Sequence, residues 1–174
     1  MTVDSSSSTF VVSGRTSGEL SAALRLARSG ARMGIAETRS FINWRFRSEM
    51  RVARCEVVQA VVSVRLRTLL PQWADSAMAP EALRSQWLTF QAALRVHEQG
   101  HSEIALRQAA ELASTMQRSS AENCRVLDQM VEALGSRTIA RLRAEDSRYD
   151  STTKHGATQG AVWRVALDST ARRP

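Results

Sequence analysis

Of 174 residues only three are histidine, and two of them stand four apart around a glutamate in His97-Glu98-Gln99-Gly100-His101. On a helix, residues i and i+4 share one face, so both imidazoles can reach a single ion at about 2.0–2.1 Å. Glu98 projects about 100° further round the axis. It is therefore no third member of the ligating pair, but it is placed to take a proton from metal-bound water, as in zinc hydrolases of the His-Glu-x-x-His type. The competing reading is two solvated histidines on a helix surface. Against it, Leu83, Trp87, Phe90 and Leu94 lead into His97 and His101, and Ile104, Gln108 and Leu112 follow, in steps of three and four. The histidines thus fall on the inward face of the helix. Two buried neutral imidazoles without partners are costly, and a shared ion satisfies both.

A catalytic zinc needs a third protein ligand. The extended motif that supplies a third histidine on the same helix requires Gly and His where this chain has Ile104 and Arg107, so that class is excluded. Two downstream residues remain, Glu122 and His155. Glu122 also completes a Ser119-x-x-Glu122 capping box, and the capping role is preferred for it. Gly100, inside the helix, costs about 1 kcal/mol against alanine. It reads either as simple tolerance or as a place where another segment approaches closely.

The elements that must carry these residues can be read coarsely. Residues 1–8 are Ser-rich and expected to be disordered, and Thr9–Ser13 reads as a short first strand. Leu20, Ala23, Leu24 and Ala27 give a helix from Thr16 that stops at Gly30. Phe41, Trp44 and Phe46 mark a second extended stretch. Val57–Leu69, where Val62, Val64 and Leu66 alternate with polar residues, reads as a half-exposed strand antiparallel to it and ended by Pro71. Pro80 opens the helix of the metal motif, which extends to about Arg118. The next helix carries the stripe Cys124, Leu127, Val131, Leu134 and Leu142, and from Tyr149 onward the chain reads as loop, with a short strand around Trp163. The predicted fold is α+β: a small N-terminal antiparallel sheet with one helix, then two long helices, and a C-terminal loop. One domain over 9–165 is expected, with a tail at 166–174.

Composition sets further bounds. With 43% apolar residues the chain can bury a sizeable core. It holds no apolar run long enough to span a bilayer and no export signal at its start. The net charge of +7 is spread as arginine along the whole chain, and only Lys154 is lysine. Nucleic-acid binding is therefore not expected, since the charge forms no block or stripe. Weak attraction to an anionic envelope stays open, and Trp44-Arg45-Phe46-Arg47 is the one place where aromatic and basic residues interleave. Cys55 and Cys124 read either as two buried thiols or as a disulfide. The bridge is favoured in an exported protein.

The paired motifs His97-Glu98-Gln99-Gly100-His101 and Tyr149-Asp150-x-x-Thr153-x-His155-Gly156-x-x-Gln159-Gly160-Ala161 resemble a bacterial family catalogued as a domain of unknown function, whose members are predicted to be secreted zinc-dependent proteases. The similarity starts at Val12-Ser13-Gly14-Arg15-Thr16 and takes in Trp44, Cys55 and Leu70-Pro71-x-Trp73. It implies one zinc per chain held by His97, His101 and His155, with Glu98 as general base. It also implies a Cys55–Cys124 disulfide and a secreted or periplasmic location, where the residues alone allow a cytoplasmic one. Lys154 departs from the acidic or polar neighbour of the third histidine that the family shows. The expected activity is hydrolysis of peptide bonds in a peptide or protein substrate. Tyr149 is a candidate donor to the oxyanion, and Asp150 and Gln159 are candidate outer partners of the imidazoles. The rival reading is a non-catalytic, zinc-stabilised binding module of the cell envelope. Oligomeric state is left open.

Overall fold

A computed structural model describes residues 1–29 and 34–165. Four strands and three helices follow one another as β1 (Thr2–Val12), α1 (Ser17–Ser29), β2 (Glu37–Arg51), β3 (Arg54–Trp73), α2 (Glu81–Gln117), β4 (Ser120–Ala121) and α3 (Cys124–Thr153). Single 3-10 turns lie at Ser76–Met78 and Ala157–Gln159. The α+β class and the helix order match the expectation. The helix stop at Gly30 and the tail at 166–174 lie outside the described residues.

The sheet is mixed rather than antiparallel. Its order is β1-β3-β2, with β4 on β3. A two-residue turn, Val52-Ala53, joins β2 to β3, which only an antiparallel pair permits. β1 instead runs parallel to β3: Thr2 Oγ1 donates to Ser63 at 3.0 Å and Thr9 Oγ1 to Gln72 at 2.8 Å, so the partners rise together. The chain passes from β1 through α1 to β2 on the far side of the sheet, and β3 then returns between them, antiparallel to β2 and parallel to β1. The serine-rich start is therefore strand and not disordered. Its side chains are exposed, but its backbone pairs with β3, and Arg67 holds Asp4 at 2.7 Å.

β3 also runs further than expected and carries Pro71 inside it, buried. Pro80 stands just ahead of α2, where its carbonyl accepts from Leu83 and Arg84. The proposed Ser119/Glu122 box does not form. Asn123 caps α3, its Oδ1 accepting from Val126 N at 3.0 Å, while Ser119 Oγ turns back to the Thr115 carbonyl. α3 continues to Thr153, so Tyr149 and Asp150 are helical and not in a loop. No strand forms at Trp163, whose indole donates to the Ser17 carbonyl at 2.9 Å.

The chain divides into two compact units. One comprises Met1–Ser6, Thr38–Arg67 and Gln99–Thr152. Its core gathers Ile42, Val62, Val64 and Leu66 from the sheet with Leu112, Met116, Leu127 and Val131 from α2 and α3. Trp44 packs against Gly135, where an added Cβ would come within 2.1 Å of the indole. Cys55 and Cys124 form a disulfide, S–S 2.06 Å and Cα–Cα 5.0 Å, which is consistent with an extracytoplasmic protein.

The other unit comprises the described residues of 7–37, 68–98 and 153–165. Its core is aromatic: Trp87 stands 5.7 Å from both Trp73 and Trp163, and 5.8 Å from Phe90. Leu20, Leu24, Leu70 and Leu94 complete it. No helix among the described residues is long and apolar enough to cross a membrane.

Candidate metal centre

α2 places His97 and His101 one turn apart on its buried face, as the stripe predicted. His97 and Glu98 are each 4% exposed and His101 is 8% exposed. Three charged or polar side chains so nearly sealed from water call for specific partners.

Each histidine finds an acceptor for its Nδ1. Gln159 Oε1 lies 3.0 Å from His97 Nδ1, with the Thr153 hydroxyl at 3.5 Å. Asp146 Oδ1 lies 3.0 Å from His101 Nδ1. An amide oxygen and a carboxylate accept only, so both Nδ1 atoms carry the proton and donate. The Nε2 atoms are then the ones able to ligate. Asp150 Oδ1 stands 3.2 Å from His101 Nε2. The donor atoms of His97, His101 and Asp150 lie within 4.8 Å of one another, a group that could hold a metal ion.

The structure thus brings together His97, His101 and Asp150, and sets Gln159 against His97 Nδ1. Asp150, expected behind an imidazole, stands among the donors instead. His155 does not belong to the group: it is exposed, on the turn just past α3. Lys154 and His155 both adopt left-handed backbone, φ 50° and 51°, ahead of Gly156 at 82°. Such conformations cost of order 1–3 kcal/mol each for residues with a side chain, and they concentrate at functional sites. Gly156 is required twice over, since a Cβ there would also come within 3.0 Å of the His97 ring. Glu122, the other candidate ligand, is exposed and its Oε1 accepts a 3.4 Å bond from the Asn123 amide.

Gly100 answers the question its sequence position raised. A Cβ there would fall 2.1 Å from Tyr149 Oη and 2.3 Å from Cζ, so the glycine makes room for the Tyr149 ring on α2. That ring also stands edge-on to His101, centroids 5.0 Å apart at 89°. Tyr149 is therefore packed against a donor histidine, with its hydroxyl directed to the helix that carries Glu98.

Asp146, which faces His101 Nδ1, is the residue of this group that sequence reading did not single out. Asp146 and Asp150 stand four apart, as do Tyr149 and Thr153, a helical spacing that is visible only if α3 is extended through them.

Residues 7–156 match the family described as "Bacterial protein of unknown function (DUF922)". That is most of the chain, and the protein belongs to this family. No curated protein and no solved structure gives a match.

Proposed function

We propose that this protein is a secreted or periplasmic zinc-dependent peptidase, with one zinc held by His97, His101 and Asp150. The observation that carries this reading is the orientation of the two histidines. Both Nδ1 atoms face acceptors, Gln159 and Asp146, which leaves Nε2 as the nitrogen each ring can offer, and His97, His101 and Asp150 each bring a donor atom within 4.8 Å of the others. Carboxylate or amide support behind a ligating histidine is the usual second layer of a metal site. Asp150 also makes an ion-pair contact with His101 Nε2 at 3.2 Å, a contact that an ion held between them would replace.

Bound there, zinc would polarise the scissile carbonyl and make a nearby water acidic enough to attack at neutral pH. The remaining work falls to the chain. Glu98, buried beside His97, accepts the water proton and delivers it to the leaving amine. The Tyr149 phenol donates to the oxyanion that develops on the carbonyl. Asp146 and Gln159 hold the imidazoles in register. His155 is the rival for the third ligand position, and its left-handed backbone supports some role at the site.

The test is Glu98→Gln. It should keep the metal and the fold, because glutamine is a good helix former and Glu98 is not among the donors. Peptide or protein cleavage should fall at least about a hundredfold, the lower range for loss of a positioned acid–base group. Equal cleavage by the variant contradicts the mechanism. A metal-loaded wild type that cleaves no peptide, protein or cell-wall substrate favours the non-catalytic envelope module.

A further inference from the structure

The hairpin that joins β2 to β3 is built unlike a solvent-facing turn. Two-residue hairpin turns favour Asn-Gly or Asp-Gly, for their backbone freedom and their polarity. Here the turn is Val52-Ala53, and Val52 is 111% exposed, with Met50 beside it 56% exposed. No packing role explains either side chain, since neither belongs to a core cluster of the described residues. Arginines flank the apolar tip on both sides, Arg51 before the turn and Arg54 after it.

The same strands carry more of this chemistry along their length. Ile42, Trp44 and Phe46 face the core, so period-2 alternation puts Phe41, Asn43, Arg45 and Arg47 on the opposite, exposed face of β2. Val62, Val64 and Leu66 do the same for β3 and leave Ser63, Arg65 and Arg67 outward. Asp4 pairs with Arg65 and Arg67, and Glu49 with Arg47 and Arg51. Those two carboxylates serve four arginines, and Arg45 makes no ion pair among the described residues. The face keeps a net positive charge.

We propose that the β2–β3 hairpin is a membrane-docking element: Met50 and Val52 insert shallowly into an anionic phospholipid surface, and Arg51 and Arg54, on either side of the tip, meet its phosphates. An apolar tip ringed by basic residues matches the layering of a bilayer surface, with acyl chains below a plane of phosphate. Arginine suits that plane because its planar fork binds phosphate through two hydrogen bonds. A nucleic acid fits less well. It would want a linear basic track with several aromatic rings for stacking, and the exposed face has one, Phe41. It would also give no reason for an aliphatic tip. The disulfide is consistent with a compartment where anionic lipid is the abundant polyanion.

The test is co-sedimentation of the full chain with vesicles of mixed phosphatidylglycerol and phosphatidylcholine, beside pure phosphatidylcholine. At about 0.1 M NaCl the first should bind and the second should not, and higher salt should weaken binding. Each arginine near an anionic surface is worth about a factor of five. The pair Arg51→Gln/Arg54→Gln should therefore weaken partitioning about twenty-five-fold, and Arg125→Gln/Arg137→Gln on α3, of equal charge change, far less. Met50→Ser/Val52→Ser should weaken it at least about tenfold with unchanged thermal unfolding, because both side chains are exposed in the free protein. Absence of binding to anionic vesicles overturns the proposal. So does binding that ignores the Met50/Val52 change, or that is lost equally in the α3 pair. Tighter binding to a DNA oligonucleotide than to the vesicles assigns the face to nucleic acid instead.

Discussion

Asp146 and Gln159 decide which nitrogen each histidine can offer, and the proposed chemistry depends on that choice. Replacing the carboxylate behind His101 by a neutral amide, Asp146→Asn, should weaken metal binding about ten- to a hundredfold. Competition with a chromophoric chelator measures this, and thermal unfolding of the metal-free variant should be little changed. Gly100 gives a second residue-scale prediction. Alanine there is intrinsically favoured in a helix by about 1 kcal/mol, yet its Cβ would occupy the place of the Tyr149 ring end. Gly100→Ala should therefore fold while displacing Tyr149 and losing cleavage. The double variant Gly100→Ala/Tyr149→Ala should be at least as thermally stable as Tyr149→Ala alone, because the clash is gone. A Gly100→Ala protein that cleaves normally would show that the Tyr149 contact has no catalytic consequence. At this scale the sequence was informative where spacing alone carries the meaning, as for His97, Glu98 and His101. It was silent on Asp146, whose value lies in pointing at one nitrogen of a ring on another helix.

The errors at the scale of elements share a cause. Ser5 to Ser8 have little strand propensity, yet they pair with β3 because tertiary pairing outweighs a propensity worth at most about 1 kcal/mol. The Thr- and Ser-rich stretch after Tyr149 stays helical to Thr153 because α3 is held by the packing of Leu127, Val131 and Leu142, residues far upstream. Ending that helix five residues early, before Tyr149, hid the spacing from Asp146 to Asp150. Two element-scale predictions follow from the bonds that fasten β3. Reducing Cys55–Cys124 opens a loop with a sequence separation of 69, which should cost about 4 kcal/mol in the chain-entropy model. Denaturant unfolding with and without reductant measures it. On the other edge, the Arg67 hydrogen bond, with charge from Arg65, holds the Asp4 carboxyl below its ordinary range. A carboxylate with a lowered folded pKa stabilises above its unfolded value of about 3.9 and loses that contribution as pH falls through the lowered one. The small stability difference between wild type and Asp4→Asn should accordingly be constant near neutrality and shrink below about pH 4.

For the molecule as a whole, amphipathic pattern foretold the α+β class but not the division into two cores, one centred on the β2–β3 sheet and one on Trp87. Both cores draw on α2, and a helix stripe does not reveal where one set of partners gives way to another. Charge was legible as a total and not as a distribution. The arginines that look scattered along the chain include a set that strand alternation gathers on one exposed face. Family membership, shown over residues 7–156, supplies no activity by itself, so the account stands on the metal centre. Its most direct test is the metal content of protein purified without chelator, measured by elemental analysis for wild type, Asp150→Ala and His155→Ala side by side. The account predicts one zinc per chain in the wild type, loss of zinc in Asp150→Ala, and retention in His155→Ala. Zinc retained by Asp150→Ala and lost from His155→Ala would transfer the third position to His155. A wild type that carries no zinc and takes up none on addition would contradict the account.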